Sequence, residues 1–363
     1  MPQLNGVLAV CAGGTSGHIV PALAVCEALE DLGFRGKVRW FHTLRGEAKA
    51  LGAYPTIERI PLALSSPRHP FRFLASLARS TCECYQHFRR EPPFAVVATG
   101  GYTAVPGVLA ARLLGIPVLL IEVNVRPGRA TRLLSAFARA TYIPAEGAKV
   151  RGTVKCVGIP LRRTARTLAR NPARTMLSVA EPDFVVTVTG GSQGARAING
   201  AFERALADLA SVVGPRLVVF HQTGEADEAR LSRVYKDLGV RAEVHAYFAD
   251  LPERIAASDL VISRSGANTL AEIIGLRTPA IVIPYPYAGL HQLWNAGRYA
   301  EAGAVALVEE AEGWEEDFKK EVLRLATSAE ARHRLSAACA RWDFSSAALN
   351  IARDILGLRP QKE

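Results

Sequence analysis

The sequence predicts an α/β protein built as two doubly wound parallel-sheet domains, and three observations carry that prediction. A short apolar run, a Gly-Gly-x-x-Gly turn and a helical pattern follow one another at Val7–Leu32 and again at Phe184–Leu209, with the two turns 177 residues apart. Further short apolar runs alternate with helical spacing, the pattern of parallel strands covered on both faces. At 363 residues the chain is long enough for two domains of ~100–200 residues, each burying its own core.

The elements follow in order. Val7 to Cys11 reads as a strand ending in Gly13-Gly14-Thr15-Ser16-Gly17-His18, then a helix from Ile19 to Leu32 closed by Gly33. Phe94 to Ala98 is a strand ending at Thr99-Gly100-Gly101, with a helix through Leu114; Gly115-Ile116-Pro117 turns into the strand Val118–Ile121. The domain boundary is expected near Gly158-Ile159-Pro160. The second half repeats the scheme. Phe184 to Thr189 is followed by Gly190-Gly191-Ser192-Gln193-Gly194-Ala195 and a helix through Leu209, and Leu217–Phe220, Leu260–Ile262 and Ala280–Ile283 read as short buried strands. Helical spacing from Ser345 to Leu356 gives a last helix.

Composition narrows the class. Apolar residues are 49% and charged residues 21% of the chain, which excludes a disordered protein. No run of ~18 uninterrupted apolar residues is present, so a transmembrane helix is not expected. The opening MPQLNGVLAVCAGG lacks a basic leader, so no signal peptide is expected. Six scattered cysteines show neither zinc-type pairing nor a disulfide framework, which fits a reducing compartment. The net charge of +10 is unevenly placed: through Pro160 there are 19 Lys+Arg against 9 Asp+Glu, and beyond it 25 against 25. All the excess positive charge sits in the first half, as a surface facing nucleic acid, membrane or a phosphorylated substrate would have it.

Glycine turns that open helices suit anions, because backbone N–H groups point outward and missing side chains allow close approach. Neither turn is the GxGxxG dinucleotide fingerprint, and GxxxxGK[ST] is absent. A nicotinamide enzyme and a P-loop ATPase therefore lose support, while a plain strand-to-helix joint remains the bland reading of each turn. Ser263-Arg264-Ser265-Gly266 follows a strand and precedes a helix carrying Glu272, a carboxylate able to accept two ribose hydroxyls or simply face solvent. Pro284 to Ala296 is a Pro- and aromatic-rich loop in which Gln292 and Asn295 share one helical face, placed for sugar hydroxyls or for loop packing. His18 stands at a helix start just past a strand, where the helix N-terminus disfavours the imidazolium and leaves a base. Glu122 and Asn124 follow another strand end.

Several blocks together resemble the MurG family of bacterial N-acetylglucosaminyltransferases: AGGTSGHIVPALAV, TGGYTAVPGVLAARLLGIPVLLIEVN, VGIPLR, VTGGSQGARAIN, SRSGANTLAE and PYPYAGLHQLWNA, in family order from Ala12 to Ala296. The resemblance implies a GT-B fold, two Rossmann-like domains facing across a cleft. It implies an acceptor and membrane-facing domain over 1–160, rejoined by 342–363, and a donor domain over 161–341. It implies UDP-N-acetylglucosamine as donor, an undecaprenyl-diphosphate-linked muramyl peptide as acceptor, no bound metal or other cofactor, no nucleic acid, and a peripheral place on the cytoplasmic face of the plasma membrane. Donor contacts then carry over to Arg162, Ser192, Gln193, Glu272, Gln292 and Ser263, Arg264, Ser265 and Gly266, with the N–H groups from Gly191 through Gly194 to Ala195, together with Ser192 and Arg162, facing the diphosphate, Glu272 the ribose, and Gln292 with Asn295 the sugar. His18 and Asn124 match positions near the transferred sugar, His18 being the first candidate for general base and Glu122 the next. Thr15, Ser16, Gly17 and His18 match the acceptor-diphosphate turn.

Three departures from the family pattern stand out. Ser16 replaces a glycine in Gly-Gly-Thr-Gly-Gly-His, Ile121-Glu122-Val123-Asn124 replaces His-Glu-Gln-Asn, and Gly158-Ile159-Pro160 replaces Gly-Asn-Pro. The segment 65–90 carries Arg68, Arg72, Arg79, Arg89 and Arg90 against the single acid Glu83, with Phe71, Leu74, Leu77, Tyr85 and Phe88 at near-helical spacing. With the resemblance this reads as an amphipathic helix whose apolar side chains enter the interface while arginines meet anionic headgroups. Other GT-B UDP-sugar enzymes, a glycolipid glycosyltransferase or a UDP-N-acetylglucosamine 2-epimerase, are the alternatives. A nucleic-acid-binding protein is the alternative outside enzymes, although no module of that kind is recognised.

Overall fold

The computed structural model describes residues 5–43, 51–52, 54–67, 69–191, 193–287 and 290–359, with Ser16 described in its backbone alone. The chain divides into two compact units, Met1–Arg163 with Phe344–Glu363, and Thr164–Asp343. The division thus falls after Arg163, where the sequence reading placed it after Pro160. The return begins at Phe344, so Trp342, edge-on to Tyr299 at 5.1 Å, stays with the second unit.

The first unit holds β1 (Val7–Cys11), α1 (Ser16–Asp31), β2 (Lys37–Thr43), β3 (Ile57–Leu62), α2 (Pro70–Arg90), β4 (Ala95–Ala98), α3 (Val105–Leu113), β5 (Val118–Ile121), α4 (Arg129–Leu134), β6 (Ala140–Ile143) and β7 (Val154–Cys156). Its strands form one seven-stranded sheet in the order β3-β2-β1-β4-β5-β6-β7, parallel throughout. β4, β5 and β6 are buried along their whole length; β4 and β5 read for that reason as continuous apolar runs, while β6, which carries Thr141, was not singled out from the sequence. β2 and β3 lie toward the edge and mix charge with apolar residues. Lys37 and Arg39 on β2 pair with Glu58 on β3, and the sequence reading passed over both strands for that reason.

The second unit begins with α5 (Arg163–Thr167) and α6 (Arg170–Met176). It continues through β8 (Phe184–Thr189), α7 (Arg196–Val213), β9 (Leu217–Gln222), α8 (Glu228–Asp237), β10 (Arg241–His245), α9 (Leu251–Ala257), β11 (Leu260–Ser263) and α10 (Ala267–Gly275). β12 (Ala280–Val282), α11 (His291–Ala300), β13 (Ala306–Leu307), α12 (Trp314–Thr327) and α13 (Ala329–Cys339) complete it. The sheet is six-stranded and parallel, in the order β10-β9-β8-β11-β12-β13. Val186, Val188, Val219, Ile262 and Ile281 meet Phe202, Ala205 and Leu209 of α7 and Phe318, Val322 and Leu325 of α12 in one core. Each such side chain contributes ~1.5–3 kcal/mol on burial. A polar thread crosses this core: His221 Nδ1 bonds Tyr235 Oη at 2.8 Å and Nε2 bonds Asn199 Oδ1 at 3.1 Å. Burial pushes the His221 imidazole down to about 3, so the thread is neutral.

α14 (Ala347–Leu356) returns to the first unit and packs on α1. It buries Ala347, Ala348, Ile351, Ala352 and Ile355. Asp354 Oδ2 accepts from Tyr142 Oη at 2.8 Å and from Lys155 Nζ at 2.6 Å, tying the helix to β6 and β7. Gly158 adopts φ +86, and a Cβ there would stand 2.4 Å from the Phe344 ring. Gly158→Ala therefore meets both a left-handed backbone and an aromatic ring, and it should cost on the order of 2–4 kcal/mol. Urea denaturation checks this, with an unchanged midpoint contradicting the packing described.

Candidate functional site

Parallel sheets present their ligand sites beyond the carboxyl ends of the strands, and in each unit the singled-out residues gather there. In the first unit these are the turns after the neighbouring strands β1, β4 and β5. Thr15 is the N-cap of α1, its carbonyl accepting from the N–H groups of His18 and Ile19. Gly14 has φ +89, and Thr103 Oγ1 donates to the Gly13 carbonyl at 3.1 Å, fastening the turn to the next one. Ser16 is the first residue of α1, a helical position any residue adopts. The serine therefore brings no positive-φ strain, and its side chain lies outside the described residues, as does all of Ser192. Gly17 follows in the first turn of α1.

The His18 ring packs on Gly101, where a Cβ would stand 3.1 Å from Nε2. Its Nδ1 is buried without a hydrogen-bond partner, a cost on the order of 1–3 kcal/mol that native structures tolerate chiefly at working positions. Burial holds the His18 pKa below its ordinary value, with the Glu122 charge and the Thr99 backbone acting the other way. The ring is thus neutral near pH 7, and the main cause is burial, where the sequence reading invoked the helix N-terminus. Glu122 is buried and fully engaged. Oε1 accepts from the Asn124 backbone N–H at 2.8 Å and its Nδ2 at 2.9 Å, and Oε2 accepts from the Gly128 N–H at 3.0 Å. Its role in the fold is to shape the loop that presents Asn124.

In the second unit the turn after β8 is clamped by a residue not singled out from the sequence. Gln222 Nε2 donates to Thr189 Oγ1 at 3.0 Å and to the Gly191 carbonyl at 2.9 Å, while its Oε1 accepts from the Phe248 N–H at 2.8 Å. Gly191 N–H donates back to Thr189 Oγ1, and Gly194 N–H to the Gly191 carbonyl. A Cβ on Gly194 would fall 2.0 Å from the Thr223 carbonyl, and one on Gly224 2.4 Å from that of Gln193. The Thr223-Gly224 pair after β9 is the signal that sequence reading missed: a third strand-to-glycine turn.

After β11, the Ser263 Oγ donates to the Arg264 carbonyl and the Ser265 Oγ to the Gln292 carbonyl. Gly266 is the N-cap of α10, on which Glu272 sits half-buried. Arg264 is buried in an ion pair with Glu310 and donates to the carbonyls of Ile283 and Pro284. The Gln292 side chain accepts from the Tyr285 N–H at 3.0 Å, and Asn295 is buried on α11. Gln292 thus holds the loop in shape, and Asn295 is packed away from solvent. Arg162 lies in the first unit. Its Nε donates to buried Glu27 at 2.9 Å and its guanidinium also meets the Tyr54 hydroxyl.

The helix over 70–90 corrects the membrane-segment reading. Phe88 is buried and Tyr85 packs against the same core, because they face the sheet; Leu77 is half-buried. Phe71 and Leu74 are left exposed, at 88% and 61%, and Arg68 lies outside the described residues. Leu113 and Leu133 are also exposed on this unit. A cavity of about 750 Å³ beside Leu133 is lined by Arg129, Arg132, Lys149 and Arg151. Among the described residues, no helix is long and apolar enough to cross a membrane, and no three His, Cys, Asp or Glu side chains are grouped to hold a metal.

The chain matches the glycosyltransferase family 28 N-terminal domain over residues 8–143 and the family 28 C-terminal domain over residues 185–351. Among curated relatives, the UDP-N-acetylglucosamine--N-acetylmuramyl-(pentapeptide) pyrophosphoryl-undecaprenol N-acetylglucosamine transferase of Carboxydothermus hydrogenoformans is 34% identical, over 89% of this chain and 90% of its own. The transferase of the same name from Paramagnetospirillum magneticum is 34% identical over 100% of this chain and 99% of its own. In fold, the chain is similar to the crystal structure of Acinetobacter baumannii MurG, with a TM-score of 0.76 and 24% identity over 97% of this chain and 99% of that one. It is also similar to a putative UDP-N-acetylglucosamine 2-epimerase from Listeria monocytogenes, with a TM-score of 0.70 and 16% identity over 97% and 96%. Both likenesses are of the GT-B architecture.

The electrostatics of the first unit make a direct expectation. In an NMR titration the His18 ring should titrate below 6.5, and Glu122→Gln should lower it further, since the raising carboxylate charge is gone. A value above 6.5, or an upward move in the variant, would contradict the burial described.

Proposed function

The chain belongs to the MurG family within glycosyltransferase family 28, and from that premise we propose how its residues serve the reaction. The enzyme is an N-acetylglucosaminyltransferase that moves N-acetylglucosamine from UDP-N-acetylglucosamine to the 4-hydroxyl of the muramyl sugar of lipid I, giving lipid II and UDP. The acceptor belongs to the first unit and the donor to the second. The transfer inverts the anomeric centre. The acceptor O4 forms a bond to C1 of the donor sugar as the C1–O bond to the diphosphate breaks, and UDP leaves with the electron pair.

The observation that carries this reading is His18: a neutral imidazole at a sheet's carboxyl edge, with a buried nitrogen that has no partner. It takes the O4 proton. Asn124, held in place by Glu122, orients the sugar beside it. Glu122 is a positioning residue, because both its oxygens are engaged within the loop. On the donor side, charge grows on the departing diphosphate through an oxocarbenium-like state. The Gly191 and Gly194 N–H groups are spent on holding the turn, so the backbone of Gln193 and Ala195, with the Ser192 and Gln193 side chains, meets that charge. Glu272 takes the ribose hydroxyls, and the loop fixed by Gln292, with Asn295, meets the sugar. Arg264, already paired with Glu310, supports the loop and leaves diphosphate binding to the backbone.

Labelled N-acetylglucosamine transfer to a short-chain lipid I analogue tests this, with UDP-galactose and an acceptor-free sample beside it. Product should require both UDP-N-acetylglucosamine and the acceptor; UDP release without transfer would overturn the function and keep the fold. His18→Ala should lower turnover by ~10²–10⁴-fold and leave UDP binding intact. Turnover near that of the parent would remove His18 from the role.

A prenyl-linked acceptor also requires the enzyme to reach a bilayer, and a peripheral contact on the cytoplasmic face fits the surface of the first unit. Phe71, Leu74, Leu113 and Leu133 are exposed there among Arg72, Arg79, Arg129, Arg132, Lys149 and Arg151. Apolar insertion and attraction to anionic headgroups then act together. Vesicle co-sedimentation should rise with phosphatidylglycerol content, fall with salt and weaken in Phe71→Ser/Leu74→Ser. Binding indifferent to anionic lipid would remove the electrostatic part.

A further inference from the structure

A second cavity lies in the second unit at the opposite edge of its sheet. It measures about 330 Å³, and its lining includes Arg170, Asp259, Arg277, Arg332, His333 and Ser336. Asp259 immediately precedes β11, and Pro279, also in the lining, immediately precedes β12. In a parallel sheet that is the amino edge, whereas the glycine turns follow the carboxyl ends of the strands. The cavity is therefore separate from the donor residues.

Its charge is unbalanced. Asp259 is the one carboxylate in the lining, and it is already satisfied: Oδ1 accepts from Arg170 at 2.7 Å, and Oδ2 from Arg174 and the Val185 N–H, both at 2.8 Å. Arg332 donates to the carbonyls of Leu325 and Ala326 and lies 4.9 Å from the Phe184 ring centroid. Those partners fix the guanidinium but supply no counter-charge. Arg277 has no ion pair among the described residues. Asp259, shared with Arg170 and Arg174, is the one carboxylate that also acts on Arg332, and exposed Arg277 adds a further guanidinium, so the lining carries surplus positive charge, with the Ser336 hydroxyl and the His333 ring beside it.

Arg277 is also an unusual residue for its position. It ends α10 with φ +55, its N–H donating to the Ile274 carbonyl and that of Thr278 to the Ile273 carbonyl. The same pair of bonds ends α1 at Gly33, α3 at Gly115, α8 at Gly239 and α11 at Gly303. At those four a Cβ would meet nothing within 4 Å, so glycine is there for its backbone freedom. Ser178, after α6, is the other exception. An arginine at this position costs roughly 1 kcal/mol relative to glycine, and it brings a forked cation to a cavity already lined by two others.

We propose that this cavity binds a small phosphate-bearing dianion, inorganic phosphate or a phosphate monoester with a short organic part. Guanidiniums meet tetrahedral oxyanions with paired N–H donors, and the volume is at the low end of the ~300–1,000 Å³ typical of ligand pockets. The site is independent of the transferase reading, since none of its residues takes part in that reaction.

Isothermal calorimetry on the full chain tests it, titrating inorganic phosphate and glycerol 3-phosphate at constant ionic strength set with chloride. The comparison is between the parent and Arg277→Gly, with thermal midpoints measured alongside. The parent should bind one of the two anions saturably. Arg277→Gly should bind it on the order of tenfold more weakly, yet melt higher in chloride alone, because glycine relieves the left-handed residue. Phosphate held elsewhere, including at the glycine turns, contributes equally to both proteins and cancels. Equal binding by parent and variant, or no saturable binding by the parent, would overturn the proposal.

Discussion

At the carboxyl edge of the second sheet, backbone presses on backbone, and the shape of the glycine turn there depends on it. Gly194 lies against the Thr223 carbonyl, Gly224 against that of Gln193, and Gly190 against the Ala195 N–H group, all at distances no Cβ tolerates. Gln222 then ties the turn to the strand below it. A turn pressed this tightly against its neighbour has one shape. N–H groups fixed before a ligand arrives stabilise developing charge without paying to reorganise, so the steric constraint and the electrostatic function are one feature. The first unit uses the same device with side chains: Gly107 lies against the Cys11 sulfur and Gly100 against the Thr131 hydroxyl.

Burial and charge work against each other at His18, and the balance makes it useful. Removal from water favours the neutral ring, while Glu122 nearby favours the charged one. Burial leads, so the ring is held neutral, and in the proposed base role the Glu122 carboxylate would stabilise the imidazolium formed once a proton is taken. Glu122 is suited to this because its oxygens are committed to the backbone of its own loop. It contributes charge from a fixed place, and a free carboxylate there would compete for the same proton.

The fold was legible wherever strands are buried on both faces. Phe184–Thr189 and Val118–Ile121 emerge from the sequence with the bounds the structure gives them, since these buried strands are almost wholly apolar and the two buried threonines, Thr187 and Thr189, find hydrogen-bond partners. Strands at or next to a sheet edge, such as Lys37–Thr43 and Arg241–His245, alternate with charge and make ion contacts, a pattern that short apolar runs do not capture. The glycine turns and His18 were legible as positions at the carboxyl edges of the sheets, where residue type states the backbone requirement directly. Partners that depend on distant segments were not legible. Glu310 for Arg264, Glu27 for Arg162 and Gln222 for Gly191 lie 31 to 135 residues away in sequence, and no local pattern announces them. Phe88 shows the opposite error: helical spacing identified an apolar face without saying that half of it covers the sheet.

The departures from the family pattern can be judged on the same physical grounds. Ile121 is the last residue of β5 and Val123 follows Glu122 in its loop; both are buried, as is Ile159. At such positions a polar side chain needs a buried partner, and leaving it unpaired costs roughly 1–3 kcal/mol. An apolar residue needs only space. Each apolar replacement therefore removes a polar requirement from the core under the loop and leaves the Glu122–Asn124 contact intact. Ser16 falls in the first turn of a helix, where glycine's freedom confers no advantage. The changes cluster where packing decides the residue, and the carboxyl edge of the first sheet retains His18, Glu122 and Asn124, the residues proposed for the reaction. A chain can drift this way, exchanging buried polar groups for apolar ones, without altering the chemistry its turns present.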